Sequence, residues 1–127
     1  MMSDEMTLDE LRLAIAERLG YRYYWYDYLG ECHLRDLGVQ NTSGMTTFEK
    51  RPDNVPINLE YVPDWPRSVA AANMLLDDIT RRGWYYEFAS GKDQVHARIM
   101  TDAETMYKAV GETWVPAISR AWLKATE

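Results

Sequence analysis

Six aromatic side chains fall within the eight residues from Tyr21 to Tyr28, and this run constrains the fold more than any other segment. Rings of this size favour an extended strand, in which successive side chains alternate between the two faces of a sheet. One face would carry Tyr21, Tyr23 and Trp25, for which burial and exposure both remain open. The other face carries the side chains that we expect at a surface, namely Arg22, Tyr24, Tyr26 and Tyr28.

Periodic apolar residues predict a helix on each side of this run. Thr7 and Glu10 have the spacing of a capping box, and the helix that they begin ends at Gly20. A second helix is predicted to start with Asp64 as its cap and to run to about Arg82. The predicted apolar stripes are Leu8, Leu11, Ile15 and Leu19 in the first helix, and Val69, Ala72, Leu75, Leu76 and Ile79 in the second. The predicted ion pairs are Asp77 with Arg81 and Asp78 with Arg82.

Side chains alternate between apolar and polar in the segments 84–88 and 94–100, as they do in strands. The two segments therefore predict a β-hairpin whose turn is residues 89–93. Val95, Ala97 and Ile99 would form the buried face of its second strand.

Two further helices are predicted after the hairpin. The residues from Thr101 to Glu104 repeat the capping-box spacing and begin a short helix that Gly111 breaks. The last helix begins at Thr113. Its apolar stripe is Val115, Ile118, Ala121, Trp122 and Ala125.

These elements predict an α/β protein of the α+β type. We expect a small antiparallel sheet sandwiched by helices, in the order αβ(loop)αββαα. The loop is placed at residues 29–62 because apolar residues there recur with neither a helical nor a strand period. The 127 residues would form a single domain, with the aromatic segment and the loop as an insertion at about 21–62.

Composition restricts the class of protein and its partners. With 46% apolar residues and no long apolar run, the chain is expected to be soluble, without contact to a membrane. The acidic N-terminus does not resemble a signal peptide, and the single Cys32 suits a reducing compartment, so we expect a cytoplasmic protein. A net charge of −6, with its arginines spread along the sequence, opposes nucleic-acid binding.

Four segments resemble the phage ABA-sandwich domain family of small, mostly unassigned phage proteins. They are the opening helix followed by Gly20-Tyr21, the segment 63–72 (PDWPRSVAAA), Gly83-Trp84, and the segment 113–123 (TWVPAISRAWL). The resemblance implies a central antiparallel sheet flanked by helices, and host cytoplasm as the location. The aromatic run and the loop after it depart from the family pattern and mark where a particular function could have been added.

Candidate ligand-binding residues come from two places. The aromatic segment and the loop supply Arg22, Tyr24, Tyr26, Tyr28, His33 and Arg35. The start of the second helix supplies a candidate anion site made of Trp65, Arg67 and Ser68, although an ordinary capped helix is the favoured explanation because every helix has such an end. Cys32 and His33 are adjacent, so we expect a buried thiol beside a surface imidazole and no metal site. No dinucleotide or phosphate-loop fingerprint occurs, and no cofactor is expected.

Three functions fit this sequence, and the first is the leading hypothesis. It is a non-enzymatic phage accessory protein that counters host defence by sequestering a small nucleotide immune signal. The alternative is a protein–protein inhibitor that blocks a host defence or nucleic-acid enzyme through an acidic, aromatic-rich surface. A nucleotide-degrading enzyme using Cys32, His33 or His96 ranks last. With five Trp and nine Tyr, we expect a homo-oligomer in each case.

Overall fold

The computed structural model describes residues 5–26, 30–36, 46–48, 52–53 and 55–127, with the backbone alone at 26 and 46–48. Helices and strands follow one another in the order αββββαβββα, which confirms the predicted α+β class. They are α1 (Leu8–Arg18), β1 (Arg22–Tyr26), β2 (Glu31–Arg35), β3 (Thr46–Phe48), β4 (Ile57–Asn58), α2 (Val69–Arg81), β5 (Tyr85–Gly91), β6 (Gln94–Met100), β7 (Met106–Gly111) and α3 (Trp114–Thr126).

The chain divides into two compact units. The larger unit consists of Met1–Ile15 and Pro63–Glu127, and the smaller unit is Ala16–Val62. The larger unit contains an antiparallel sheet in the order β5-β6-β7, and the smaller unit contains a sheet in the order β3-β1-β2-β4. In the smaller sheet β2 and β4 run parallel, whereas β1 is antiparallel to both of its neighbours. The fold therefore has two sheets instead of the single predicted one.

Two predicted elements are wrong. The segment 29–62, expected to be a loop, contains the three strands β2, β3 and β4. The short helix expected after Thr101 is the strand β7, because pairing with β6 imposes a period of two. Ala109 and Gly111 are buried while Met106 and Lys108 are exposed, as that period requires.

The helices confirm the sequence patterns in part. At α1 the capping box forms, since Glu10 N donates to Thr7 Oγ1 and Thr7 N donates to Glu10 Oε1, both at 3.2 Å. Leu11 and Ile15 are buried, but Leu19 is exposed beyond the last turn. No helix in the described ranges is long and apolar enough to cross a membrane.

The start of α2 differs from the prediction by one turn. Ser68 is the N-cap, and its side chain accepts a hydrogen bond from Ala71 N at 3.2 Å. Asp64, the predicted cap, instead accepts backbone hydrogen bonds from Arg67 N and Ser68 N in the turn that precedes the helix. Val69 is consequently the first helical residue and is exposed, not buried as predicted.

The predicted hairpin is confirmed as β5 and β6, with a shorter turn. Ladder pairs extend to Gly91 and Gln94, leaving Lys92 and Asp93 as the turn residues. Asp93 adopts the left-handed region, at φ 64°, which Asp tolerates better than most residues. Ala97 and Ile99 lie on the buried face of β6, as predicted.

A buried carboxylate joins α2 to α3. Asp78, which is 6% exposed, accepts hydrogen bonds from Trp122 Nε1 at 2.9 Å, Arg82 Nε at 2.7 Å and Arg81 Nη2 at 2.5 Å. Burial raises the pKa of this carboxyl, but the three hydrogen bonds outweigh that effect and hold the pKa below its usual value. Arg81 thus bonds to Asp78 in place of the predicted Asp77, and the predicted pair of Asp78 with Arg82 is confirmed.

Gly111 is the last residue of β7, and its backbone lies close to Pro116 and Ala117 in the first turn of α3. A Cβ atom at this position would lie 2.6 Å from Ala117 N and 2.9 Å from Pro116 Cγ. The sequence predicted Gly111 as a helix breaker. Its role in the structure is to allow backbone contact where a side chain would collide.

We predict that Asp78→Ala lowers the free energy of unfolding by about 1–3 kcal/mol, because the buried indole N–H of Trp122 loses its acceptor. Urea unfolding at neutral pH measures the change. Asp77→Ala, on the exposed neighbouring residue of the same helix, is the matched control and should change stability by less than about 0.5 kcal/mol. Equal effects of the two substitutions would contradict the prediction.

We also predict that Gly111→Ala costs about 1–3 kcal/mol, because α3 must shift to accommodate the new methyl group. Gly91→Ala is the control, since its Cβ would meet only the movable side chain of His96, at 3.2 Å, and Gln94 O, at 3.5 Å. The midpoint of urea unfolding should fall for the first variant and stay near the wild-type value for the second. If the midpoint of urea unfolding for Gly111→Ala equals that of the wild-type chain, the prediction is wrong.

Candidate functional site

The candidate site is one face of the β1–β2 ladder in the smaller unit. The ladder places Arg22 opposite Arg35 and Tyr24 opposite His33. Residues directly opposite each other in an antiparallel pair project to the same side, as do residues two apart on a strand. The β1–β2 face, as we name it, consists of Arg22, Tyr24, Glu31, His33 and Arg35.

The register brings together most of the residues predicted from the aromatic segment. Arg22, Tyr24, His33 and Arg35 share the β1–β2 face, and Tyr26 holds the position opposite Glu31 on the same ladder. The side chain of Tyr26 is outside the description, and Tyr28 lies outside the described residues altogether.

Burial on this face differs from the expectation. Tyr24 is 0% exposed and His33 is 4% exposed, so the expected surface positions of both rings are wrong. Both faces of β1 are covered at this point, since Tyr23, on the opposite face, is also fully buried. Arg22 is exposed and Arg35 is half-buried. Within the described part of the chain, Tyr24 Oη has no hydrogen-bond partner.

A hydrogen-bond network fixes the imidazole of His33. Its Nε2 lies 2.9 Å from Glu31 Oε1, and Asn58 Nδ2 donates to the same oxygen at 3.1 Å. Because a carboxylate only accepts, Nε2 carries a hydrogen and donates it to Glu31. The hydrogen bonds from Asn58 and His33 lower the pKa of the Glu31 carboxyl.

Tyr61 packs on the positive end of the same face. Arg35 Cζ lies 4.1 Å from the centroid of the Tyr61 ring, a cation–π distance. The His33 and Tyr61 rings are 5.9 Å apart and tilted by 33°. With half of its surface exposed, Tyr61 combines an aromatic plane with access from solvent.

Sequence reasoning did not select Glu31, Asn58 or Tyr61 as site residues. Asn58 and Tyr61 lie in the segment that looked like a structureless loop. They reach the site because β4 runs parallel to β2, with Asn58 beside His33. No local pattern predicts a parallel pairing of two residues, so the signal was absent from the sequence.

The second predicted group does not form an open anion site. Trp65 is 0% exposed and therefore belongs to the core of the larger unit, where it cannot stack on a ligand. Arg67 Nη1 is held by Asp9 at 2.9 Å and by Asp64 at 3.4 Å. Ser68 caps α2 with its hydroxyl. The carboxylates of Asp9 and Asp64 beside Arg67 disfavour binding of an anion at this helix start.

Cys32 and His33 do not form a nucleophile–base pair. As neighbours on a strand their side chains point to opposite faces, so the imidazole lies on the β1–β2 face and the thiol on the other. Cys32 is buried, as predicted, and burial raises the pKa of its thiol. Among the described residues, no group of three His, Cys, Asp or Glu side chains could hold a metal ion.

Comparisons with protein-family models, with curated proteins and with solved structures find no match for this chain. The resemblance to the phage ABA-sandwich family stays a prediction.

We predict that Asn58→Ala raises the pKa of the Glu31 carboxyl toward that of an ordinary glutamate, because the hydrogen bond from Asn58 is the largest cause of its lowered pKa. In the wild-type chain Glu31 should stay ionised to lower pH than an ordinary glutamate. NMR titration of the Glu31 side-chain carbonyl measures both values. Asn73→Ala, on an exposed position of α2, is the control and should leave the titration unchanged.

Proposed function

We propose that this chain is a non-enzymatic binding protein that holds a small nucleotide-like anion at the Arg22 and Arg35 end of the β1–β2 face, which is accessible to solvent. The observation that carries the proposal is the direct pairing of Arg22 with Arg35 across the ladder. Two arginines in directly opposite positions on a ladder can both donate charge-assisted hydrogen bonds to one phosphate.

The surroundings of the two arginines suit the rest of a nucleotide. Tyr61 offers an aromatic plane that is half exposed, next to the imidazole of His33. Planar bases stack on such rings, and contact with Arg35 holds the Tyr61 ring in place beforehand.

Charge along β2 gives the ligand a direction. Glu31, His33 and Arg35 follow one another at steps of two residues, from a carboxylate to a guanidinium. Phosphate belongs at the Arg22 and Arg35 end, because Glu31 repels it from the other end.

None of the five residues of the β1–β2 face is a cysteine, serine or threonine, which supports binding without turnover. The thiol of Cys32 is on the opposite side of the strand and is kept protonated by its raised pKa. In an infected host cell such a protein would sequester a nucleotide immune signal, which is the leading hypothesis from the sequence.

The proposal predicts that the protein retains nucleotides and releases them unchanged. Isothermal titration with nucleoside monophosphates, ADP-ribose and cyclic dinucleotides should give binding to at least one of them, whereas adenosine without phosphate should bind far more weakly. Arg22→Ala and Arg35→Ala should each weaken binding about tenfold to a hundredfold, the effect of losing a charge-assisted hydrogen bond. Tyr61→Ala should weaken binding, and Tyr61→Phe should retain most of it.

Lys92→Ala is the charge-matched control, since it removes one positive charge from the hairpin turn of the larger unit. If it weakens binding as much as the arginine variants do, the binding is non-specific. No binding of any nucleotide by the wild-type chain would refute the proposal, and chromatography that finds a degraded ligand would refute its non-enzymatic part.

A further inference from the structure

Strand β5 is an exposed edge of the sheet in the larger unit. In the order β5-β6-β7, its outer side has no neighbouring strand among the described residues. All seven of its residues are exposed, with Tyr85 at 74% and Tyr86 and Phe88 at 38% each. The strand has no proline or lysine, the usual protections of an edge, and such an edge is a template for pairing with another strand.

We propose that β5 pairs with β5 of a second copy of this chain, antiparallel and around a two-fold axis at Phe88. The two sheets would join into one continuous six-stranded sheet, made of two copies of β5-β6-β7. This inference concerns the larger unit alone and does not depend on the proposed ligand.

The hydrogen-bonding groups on the outer side of β5 permit this register. A two-residue turn makes the flanking pair, Gly91 with Gln94, a hydrogen-bonded pair of the hairpin. Hydrogen-bonded and non-hydrogen-bonded pairs alternate along the ladder, so the outward N–H and C=O groups belong to residues 86, 88 and 90. A two-fold axis at Phe88 sets residue 88 opposite its own copy and residue 86 opposite residue 90 of the second copy. The outward N–H and C=O groups of the two strands then face each other along the whole strand.

Side-chain sizes are complementary in the same register. The first half of β5 is large and the second half is small, with the sequence YYEFASG. Pairing around Phe88 places Tyr85 opposite Gly91 and Tyr86 opposite Ser90 of the second copy. An aromatic ring covers an opposing glycine favourably in a sheet. A small residue therefore meets each tyrosine, and no two bulky side chains compete for space except at the axis.

Charge selects this register over the next one. A two-fold axis one residue earlier would set Glu87 directly opposite its own copy, which is unfavourable for like charges. With the axis at Phe88, Glu87 instead faces Ala89 and keeps its ion pair with Arg98 on β6, at 3.1 Å.

Apolar burial supplies the driving force for pairing. Phe88 and Tyr86 lie on the face of β5 that is continuous with the buried Ile99 and Ala97, and Phe88 contacts Trp114 at 5.6 Å between ring centroids. Opposite residues project to the same side, so the Phe88 and Tyr86 rings of the two copies would meet on this face. In the dimer these rings would cover the apolar surface that they expose in the single chain.

Substitutions that add a charge at position 89 test the register directly. In the dimer residue 89 of each copy would face Glu87 of the other copy, so the pair occurs twice. Sedimentation equilibrium of the whole chain should show a dimer. Ala89→Glu should raise its dissociation constant about threefold to tenfold, and Ala89→Lys should lower it by a similar factor. Both substitutions are at an exposed position, and circular dichroism with urea unfolding checks that each variant is folded.

Disulfide trapping tests the axis independently. Two cysteines at position 88 would have Cα atoms about 5.5 Å apart, the distance that a disulfide spans. Phe88→Cys should therefore form a covalent dimer under mild oxidation. Ser90→Cys is the matched control, since its copies would lie about 13 Å apart along the strand and should not cross-link.

A wild-type chain that stays monomeric at high protein concentration would overturn the proposal. So would a dimer that neither Ala89 variant alters and that Phe88→Cys does not trap, because another surface would then hold it. If β5 instead binds a different protein, the chain will be monomeric alone, which counts against the second copy.

Discussion

The register of the β1–β2 ladder is the constraint on which the chemistry of the smaller unit depends. A slip of one residue would send every side chain of one strand to the other face, because the side-chain period in a strand is two. In the observed register two arginines lie in opposite positions at one end of the ladder and a glutamate lies at the other. Backbone hydrogen bonds thus determine the arrangement of charge before any side-chain contact is made.

Sequence reasoning succeeded where the interaction is local. The capping box at Thr7 and Glu10 and the β5–β6 hairpin are encoded within a few residues, and both are confirmed. The alternation through the aromatic segment also predicted correctly that Arg22 and Tyr24 share a face.

It failed where a distant partner decides the outcome. Residues 106–111 carry apolar side chains that suit a helix or a strand, and pairing with β6 selects the strand. Burial of Tyr24 and His33 depends on what covers the sheet, which alternation does not reveal. Asn58 acts on Glu31 from 27 residues away, through a parallel strand that has no local sequence signal.

Cys32 gives the chain a chemical property of its own. The thiol is buried, it is the only one in the sequence, and its pKa is raised, so it remains in the form that reacts slowly with electrophiles and oxidants. The native chain should consequently resist alkylation while folded. Reaction of Cys32 with a thiol reagent would then report opening of the sheet, making this residue a built-in probe of local unfolding in the smaller unit.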